Sequence, residues 1–390
     1  MNAVREYLGR NVRQYGIVAA LLLIVLLFQA LTGGRLLYPN NIATLIQQNA
    51  YVMILAIGMV MVIVAGHIDL SVGSVVAFVG GLCAIMIAEW DLPWFVAVLL
   101  SLLLGALVGA WQGFWIAYVG IPAFIVTLAG MLIFRGLAIV LVGTTVAGLP
   151  EGFNSISNGY LPAWLGYSGQ LDALTLVIGA VGIGGLAWSQ FRARRSLIKH
   201  QLTAEPLFAF VGKLVVIGLL IGLVTYWLSL SAGGTPIVLL IVGVLIIAFS
   251  FVLNRTVYGR HIYAVGGNRL AAILSGVDAR RTDFMIFVNM GLLSAVAAVV
   301  TTSRAGAGVA AAGTNYELDA IAACFIGGTA VAGGVGRISG AMIGALIMGV
   351  LNMGLSIMGV DSAWQQVIKG LVLLLAVTLD IVSKRRATLA

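Results

Sequence analysis

The sequence predicts an all-α polytopic membrane protein of about twelve transmembrane segments, and three observations predict it. Of 390 residues, 61% are hydrophobic and 9% charged, whereas a soluble surface needs about a quarter of its residues charged. The apolar residues come in runs of about 18 or more, the length that crosses a hydrocarbon core of roughly 30 Å. Runs such as 19–28 lack the alternation of a β-barrel, so helices must satisfy the backbone in lipid. These observations exclude a soluble enzyme, a disordered chain and a disulfide scaffold.

In chain order the spans read 16–32, 49–66, 73–89, 94–119, 123–143, 173–189, 207–231, 235–253, 284–303, 319–334, 338–359 and 365–382. The first lacks a small-residue cleavage site and reads as a retained helix. The tenth is the weakest: it opens on Asp319, ends in Gly333 and Gly334, and reads as half of a broken helix. Crossings alternate sides, so twelve spans put both termini on one side. The basic residues agree with that parity. Arg5, Arg10 and Arg13, then Arg192, Arg194, Arg195 and Lys199, then Arg255, Arg260, Arg269, Arg280 and Arg281, and finally Lys384, Arg385 and Arg386 all fall on the same side. By the positive-inside rule that side is cytoplasmic. The opposite loops carry Glu89, Asp91, Glu151, Asp172, Glu317 and Asp361 against only Arg35 and Arg304. The net charge of +8 is thereby accounted for by inside loops and by membrane lipids, and no nucleic-acid partner is implied. Residues 1–390 form a single transmembrane domain, with an inside loop at 254–283 and an outer loop at 144–172.

No cofactor or metal is expected. His67, His200 and His261 lack ligand spacing, Cys83 and Cys324 sit in apolar packing positions, and no phosphate-binding G-x-x-x-x-G-K-[ST] occurs, since Gly212-Lys213 is followed by Leu214. No nucleophile–base constellation marks an enzyme. Glycine is about twice as frequent as the usual 7%, and Gly105, Gly109 and Gly113, like Gly340 and Gly344, are phased on one helix face. Such spacing brings helix backbones close. Gly105-Ala106-Leu107 and Gly344-Ala345-Leu346, with Gly120 and Gly359 at the same offset, suggest an inverted repeat.

Several interruptions of the spans bear on mechanism. The segment from Gly66 through Asp69 and Ser71 to Gly73 puts polar groups between two apolar helices, and Pro122 opens another span. Broken backbone at membrane depth must line protein or water. Asp69 reads either as a pathway residue or as an N-cap. Arg135, deep in its span, reads either as facing a cavity or as a tie to backbone carbonyls. Polar and aromatic groups within apolar helices, namely Trp111, Gln112, Trp115, Thr127, Asn289 and Asn352, are candidates for a substrate pathway or for helix–helix hydrogen bonds. In the inside loop, Asn268 is a good N-cap and Gly276 a good stop for a two-turn helix. Leu270, Ile273 and Leu274 share one face of it, at i, i+3 and i+4, as an apolar knob for docking a partner protein or for packing on the chain's own surface.

Four motifs resemble the membrane permeases of bacterial monosaccharide ABC importers. They are 68–73 (IDLSVG), 121–128 (IPAFIVTL) with Arg135-Gly136, 263–268 (YAVGGN) with Ser275-Gly276, and Gly327-Gly328-Thr329 through Gly333-Gly334. The likeness is greatest to the xylose-type members, because the stretch from about 145 to 235 adds hydrophobic segments that ribose-type members lack. His67, where relatives often have glycine, is a departure. The resemblance implies a non-enzymatic transport subunit in the bacterial inner membrane. Its implied partners are separate ATP-binding cassette subunits, a periplasmic sugar-binding protein and a second permease copy, and 268–276 looks like the coupling helix. A permease for another substrate, such as ribose, and an ion-coupled secondary transporter using Asp69, Asp319 or Asp380 are the alternatives.

Overall fold

A computed structural model describes the backbone of residues 2–202 and 205–389. The side chains of Arg5, Arg10, Arg13, Lys384, Arg385 and Arg386 lie outside its described part. The first half comprises α1 (Asn2–Leu31), α2 (Pro39–Val64), α3 (Val72–Ala88), α4 (Trp94–Phe114) with a terminal π turn (Trp115–Val119), and α5 (Ala123–Val142). The segment 144–172 contains β1 (Thr145–Val146), α6 (Glu151–Asn158), β2 (Tyr167–Ser168) and β3 (Leu171–Asp172). It leads to α7 (Ala173–Lys199), α8 (Leu207–Ser229) and α9 (Ile237–Arg255). The loop 254–283 holds α10 (Val257–Gly267) and α11 (Arg269–Leu274), and α12 (Ala279–Ala305), β4 (Gly308–Val309), α13 (Tyr316–Ile326), α14 (Ile338–Ile357) and α15 (Ser362–Leu389) follow. The two strand pairs, β1 with β4 and β2 with β3, are two-residue antiparallel clips, and the protein is an all-α integral membrane protein.

Eight described helices are long and apolar enough to cross a membrane, and α3 and parts of α1 and α15 are shorter apolar helices. Each of the twelve expected spans overlaps a helix; α1 and α15 extend beyond their spans, to Asn2 and Leu389, and four others also differ in extent. α2 starts at Pro39, ten residues early, because proline suits a first helical turn and the polar residues 47–49 are carried inside the helix. α7 runs on through its arginines to Lys199, a charged end that leaves the apolar stretch while keeping the helix. α12 begins at Ala279, capped by Asp278 accepting from the Arg281 amide. The tenth span is the half-helix α13, which stops at Gly327 and is followed by a non-helical return through 337.

Burial ranks the helices. In α2, 89% of the apolar window is buried, against 11% in α7 and 6% in α8. α2 is therefore the axis of the bundle, and the α7–α8 pair is peripheral.

The phased glycines make the closest contacts. Gly105 and Gly109 of α4 meet the backbone of Gly291 and Phe287 in α12, and Gly340 and Gly344 of α14 meet Gly327 and Ala323. A side chain at any of these positions would collide with a carbonyl of the neighbouring segment. Gly120 and Gly359, at equal offsets from Gly105 and Gly344, both take the left-handed conformation, with φ of 87° and 72°, just beyond their helices.

After α12 the chain folds back into the bundle. Gly308 rests against Ala84 and Gly313 against Gly73, eleven residues or about 16 Å apart along α3 at 1.5 Å per residue. This return delivers the N-terminus of α13 to the interior. Irregular backbone at that depth is tolerated because protein surrounds it.

Candidate functional site

Two cavities open at opposite ends of the bundle, named outer and inner after the orientation expected from the basic loops. The outer one, of about 350 Å³, lies between α2, α12, α13, α14 and α15. Gln48, Asn49 and Tyr51 of α2 face Thr301 and Arg304 of α12, Tyr316 at the start of α13, Asn352 of α14, and Gln365 and Lys369 of α15. The Tyr51 and Tyr316 rings stack, with centroids 3.6 Å apart. Tyr51 donates its hydroxyl to Asp319 Oδ2 at 2.7 Å, and Lys369 Nζ stands 3.2 Å from Asp319 Oδ1. A buried carboxylate is costly alone, so these two donors fix Asp319 behind the wall. Asn49 donates to the Ala345 carbonyl at 2.7 Å, yet the carboxamide oxygens of Asn49 and Asn352 are buried without a hydrogen-bond partner. Orphaned acceptors of this kind are uncommon in folded proteins, and here both belong to residues that line the cavity.

The inner cavity, of about 570 Å³, is bounded by 66–68, the π turn and start of α5 (116–124), Arg269, Arg280 and Asp283. Its roof is the break between α2 and α3. Asp69 Oδ1 accepts from both the Ser71 amide and the Ser71 hydroxyl at 2.8 and 2.7 Å, and Gln112 donates to Ser71 Oγ at 2.7 Å. Ser71 occupies the N-cap position of α3, and Asp69 holds the turn before it instead of capping. Thr127 donates to the Ile68 carbonyl at 3.4 Å, and Pro122 is the N-cap of α5 in the same wall. Asp69, Ser71, Gln112 and Thr127 are thus one buried polar knot that joins three segments, the α2–α3 break, α4 and α5.

The remaining pathway candidates lie apart. Trp111 and Trp115 are 40% and 37% exposed on the outside of the bundle. Asn289 donates to the Tyr258 hydroxyl and the Met285 carbonyl, on the α10 side of α12. Arg135 donates to the carbonyls of Ala310 and Ala312 at 3.1 and 2.7 Å and so pins the re-entrant return after α12. Of the six pathway candidates, Asn352 lines the outer cavity. Its other wall residues were not singled out from the sequence, although the consecutive Gln47-Gln48-Asn49 inside an apolar helix and the lysine in the last span were available signals.

In the 254–283 loop, the Asn268 side chain caps α11 by accepting from the Ala271 amide at 3.0 Å, and Gly276 leaves it with φ of 85°. Leu270, Ile273 and Leu274 are 69%, 49% and 80% exposed. The 254–283 segment also holds α10, which the sequence reading included in the loop. α10 is anchored by Tyr263, whose hydroxyl donates to the Gly336 carbonyl at 2.7 Å. Burial pushes that phenol above its ordinary pKa, so it stays a donor at neutral pH.

The chain matches the family model described as branched-chain amino acid transport system / permease component over residues 41–377. It is 42% identical to the xylose transport system permease protein of Escherichia coli (strain K12) over 380 residues, covering 97% of this chain and 94% of that protein. It is 40% identical to the corresponding protein of Haemophilus influenzae, covering 96% and 98%, and 37% identical to the ribose import permease protein of Bacillus subtilis, covering 92% and 90%. No solved structure matches it. With the family model spanning most of the bundle and these relatives aligned over nearly the whole length, the chain belongs to the branched-chain amino acid transport system / permease component family and is a membrane permease.

Proposed function

We propose that this permease forms the pathway for a monosaccharide, D-xylose, in an ATP-driven importer of the bacterial inner membrane, with both termini cytoplasmic. The observation that carries the reading is the outer cavity, where a stacked tyrosine pair adjoins neutral amides with unpaired acceptor oxygens. Aromatic faces suit the C–H surfaces of a sugar, and orphaned acceptors suit its hydroxyls. The names of the xylose permeases support the substrate.

In this reading a periplasmic sugar-binding protein docks on the outer face, which includes residues 144–172, and delivers sugar to the outer cavity. The 254–283 loop meets separate ATP-binding cassette subunits. There Leu270, Ile273 and Leu274, exposed on α11, give an apolar contact. Asn268 and Gly276 fix the ends of that helix. The knot of Asp69, Ser71, Gln112 and Thr127, together with Pro122, closes the inner end of the pathway above the inner cavity. A second permease copy and membrane lipids cover the exposed apolar faces of α4, α5, α7 and α8.

Ribose is the second reading, favoured by the similarity to the ribose permease. Competition between labelled xylose and unlabelled ribose, in proteoliposomes holding the permease with its ATPase and binding protein, decides between them. Xylose uptake that survives excess ribose supports the first reading, and uptake abolished by equimolar ribose supports the second.

A further inference from the structure

Asp283, in the first turns of α12, is 1% exposed, yet it faces charged or titratable groups from two other parts of the chain. Arg269, the first residue of α11, places Nη1 2.6 Å from Asp283 Oδ2. His67, in the break between α2 and α3, places Nε2 3.2 Å from Asp283 Oδ1. The two contacts are unequal. The arginine makes a short, charge-assisted contact. The His67 and Asp283 atoms approach without hydrogen-bond geometry, and both are buried with no other partner. One link of the chain is therefore made and the next is open, at a distance that a small rotation closes.

The position of each partner gives this arrangement its meaning. Arg269 leads directly into Leu270, the first exposed apolar residue of α11. His67 precedes Ile68, whose carbonyl takes the Thr127 hydroxyl, and Asp69, which holds Ser71 and through it Gln112. Arg280 and Tyr118 line the same cavity but lie outside the two ion-pair contacts. A displacement of α11 thus reaches the polar knot through a single buried carboxylate. Coupling between sites requires an element with two discrete arrangements, and the structure holds one of them, with His67 Nε2 and Asp283 Oδ1 3.2 Å apart and not hydrogen-bonded.

We infer that Asp283 is a positioning residue that couples α11 to the α2–α3 break, transmitting the state of the ATPase to the inner end of the pathway. This rests on the proposal that α11 docks on that ATPase. The test is the number of ATP molecules hydrolysed per sugar moved, in proteoliposomes containing the permease, its ATPase and its binding protein, with labelled xylose as probe. In Arg269→Gln and Asp283→Asn, hydrolysis is expected to stay close to wild type while uptake falls roughly ten- to hundredfold, the size expected from losing a charged hydrogen bond. The charge-swapped pair Arg269→Glu with Asp283→Lys is expected to bring the ratio back toward wild type. Arg269 is 45% exposed at its side chain, so Arg269→Gln carries the test even where Asp283→Asn fails to insert. An unchanged ATP-to-sugar ratio in the single variants, or a swapped pair no better than the singles, overturns the inference. A wild-type complex that moves no monosaccharide overturns both the functional reading and the coupling role, and its own trace separates that failure from the first.

Discussion

Tyr51 of α2 and Tyr316 of α13 stack with ring planes 16° from parallel, joining the most buried of the eight long described spans to the start of the half-helix. The stack stands in the wall of the outer cavity beside amides whose acceptors are unpaired. Removing one ring tests whether it serves the sugar. Tyr316→Ala is expected to raise the KM for uptake severalfold to about tenfold, since aromatic contacts are worth roughly 0.5–1.5 kcal/mol. Uptake titrated against sugar concentration, with the amount of assembled complex held equal, checks this. An unchanged KM places the sugar elsewhere.

The ionic tie behind that wall gives a prediction about pairs. Lys369→Met leaves Asp319, only 5% exposed, with Tyr51 as its one remaining donor. Breaking a buried pair on one side is more damaging than replacing both partners. The single variant is therefore expected to unfold at a lower temperature in detergent than Lys369→Met combined with Asp319→Leu. A double variant as unstable as the single would show that the carboxylate has no such need.

Packing between α4 and α12 leaves no room at Gly109, where a Cβ would meet the Phe287 carbonyl. Gly109→Val is expected to cost about 1–3 kcal/mol or more, as overpacking does, and to lower the melting temperature of the purified protein. Gly136, with open space around it, is the control: Gly136→Ala should leave that temperature unchanged.

Much of this architecture was legible in the sequence because hydropathy reports what lipid demands of every crossing helix. The half-helix was legible for the same reason: Asp319 at one end and Gly333-Gly334 at the other leave too few apolar residues between them to span. The outer cavity was not, since Tyr51, Thr301, Tyr316 and Lys369 come together from four helices remote in sequence. α10 was missed because its composition is basic and glycine-rich, and its helix is held by the Thr256 cap and by Tyr263 on Gly336, the latter a contact no local pattern announces.

Ile273 on α11 is half-exposed, with Leu270 and Leu274 more exposed still. Covering such side chains contributes roughly 1.5–3 kcal/mol for each one fully buried. Ile273→Asp is therefore expected to leave insertion intact but to reduce co-purification of the ATPase and abolish substrate-stimulated ATP hydrolysis. Normal yield of the complex together with normal stimulation would assign the contact to another surface.

The central claim, a sugar pathway powered from outside this chain, is tested most directly by uptake of labelled xylose into proteoliposomes prepared with and without the ATPase. The account predicts no accumulation by the permease alone under a proton or sodium gradient, and accumulation once the ATPase, the binding protein and ATP are supplied. Gradient-driven accumulation by the permease alone would contradict it.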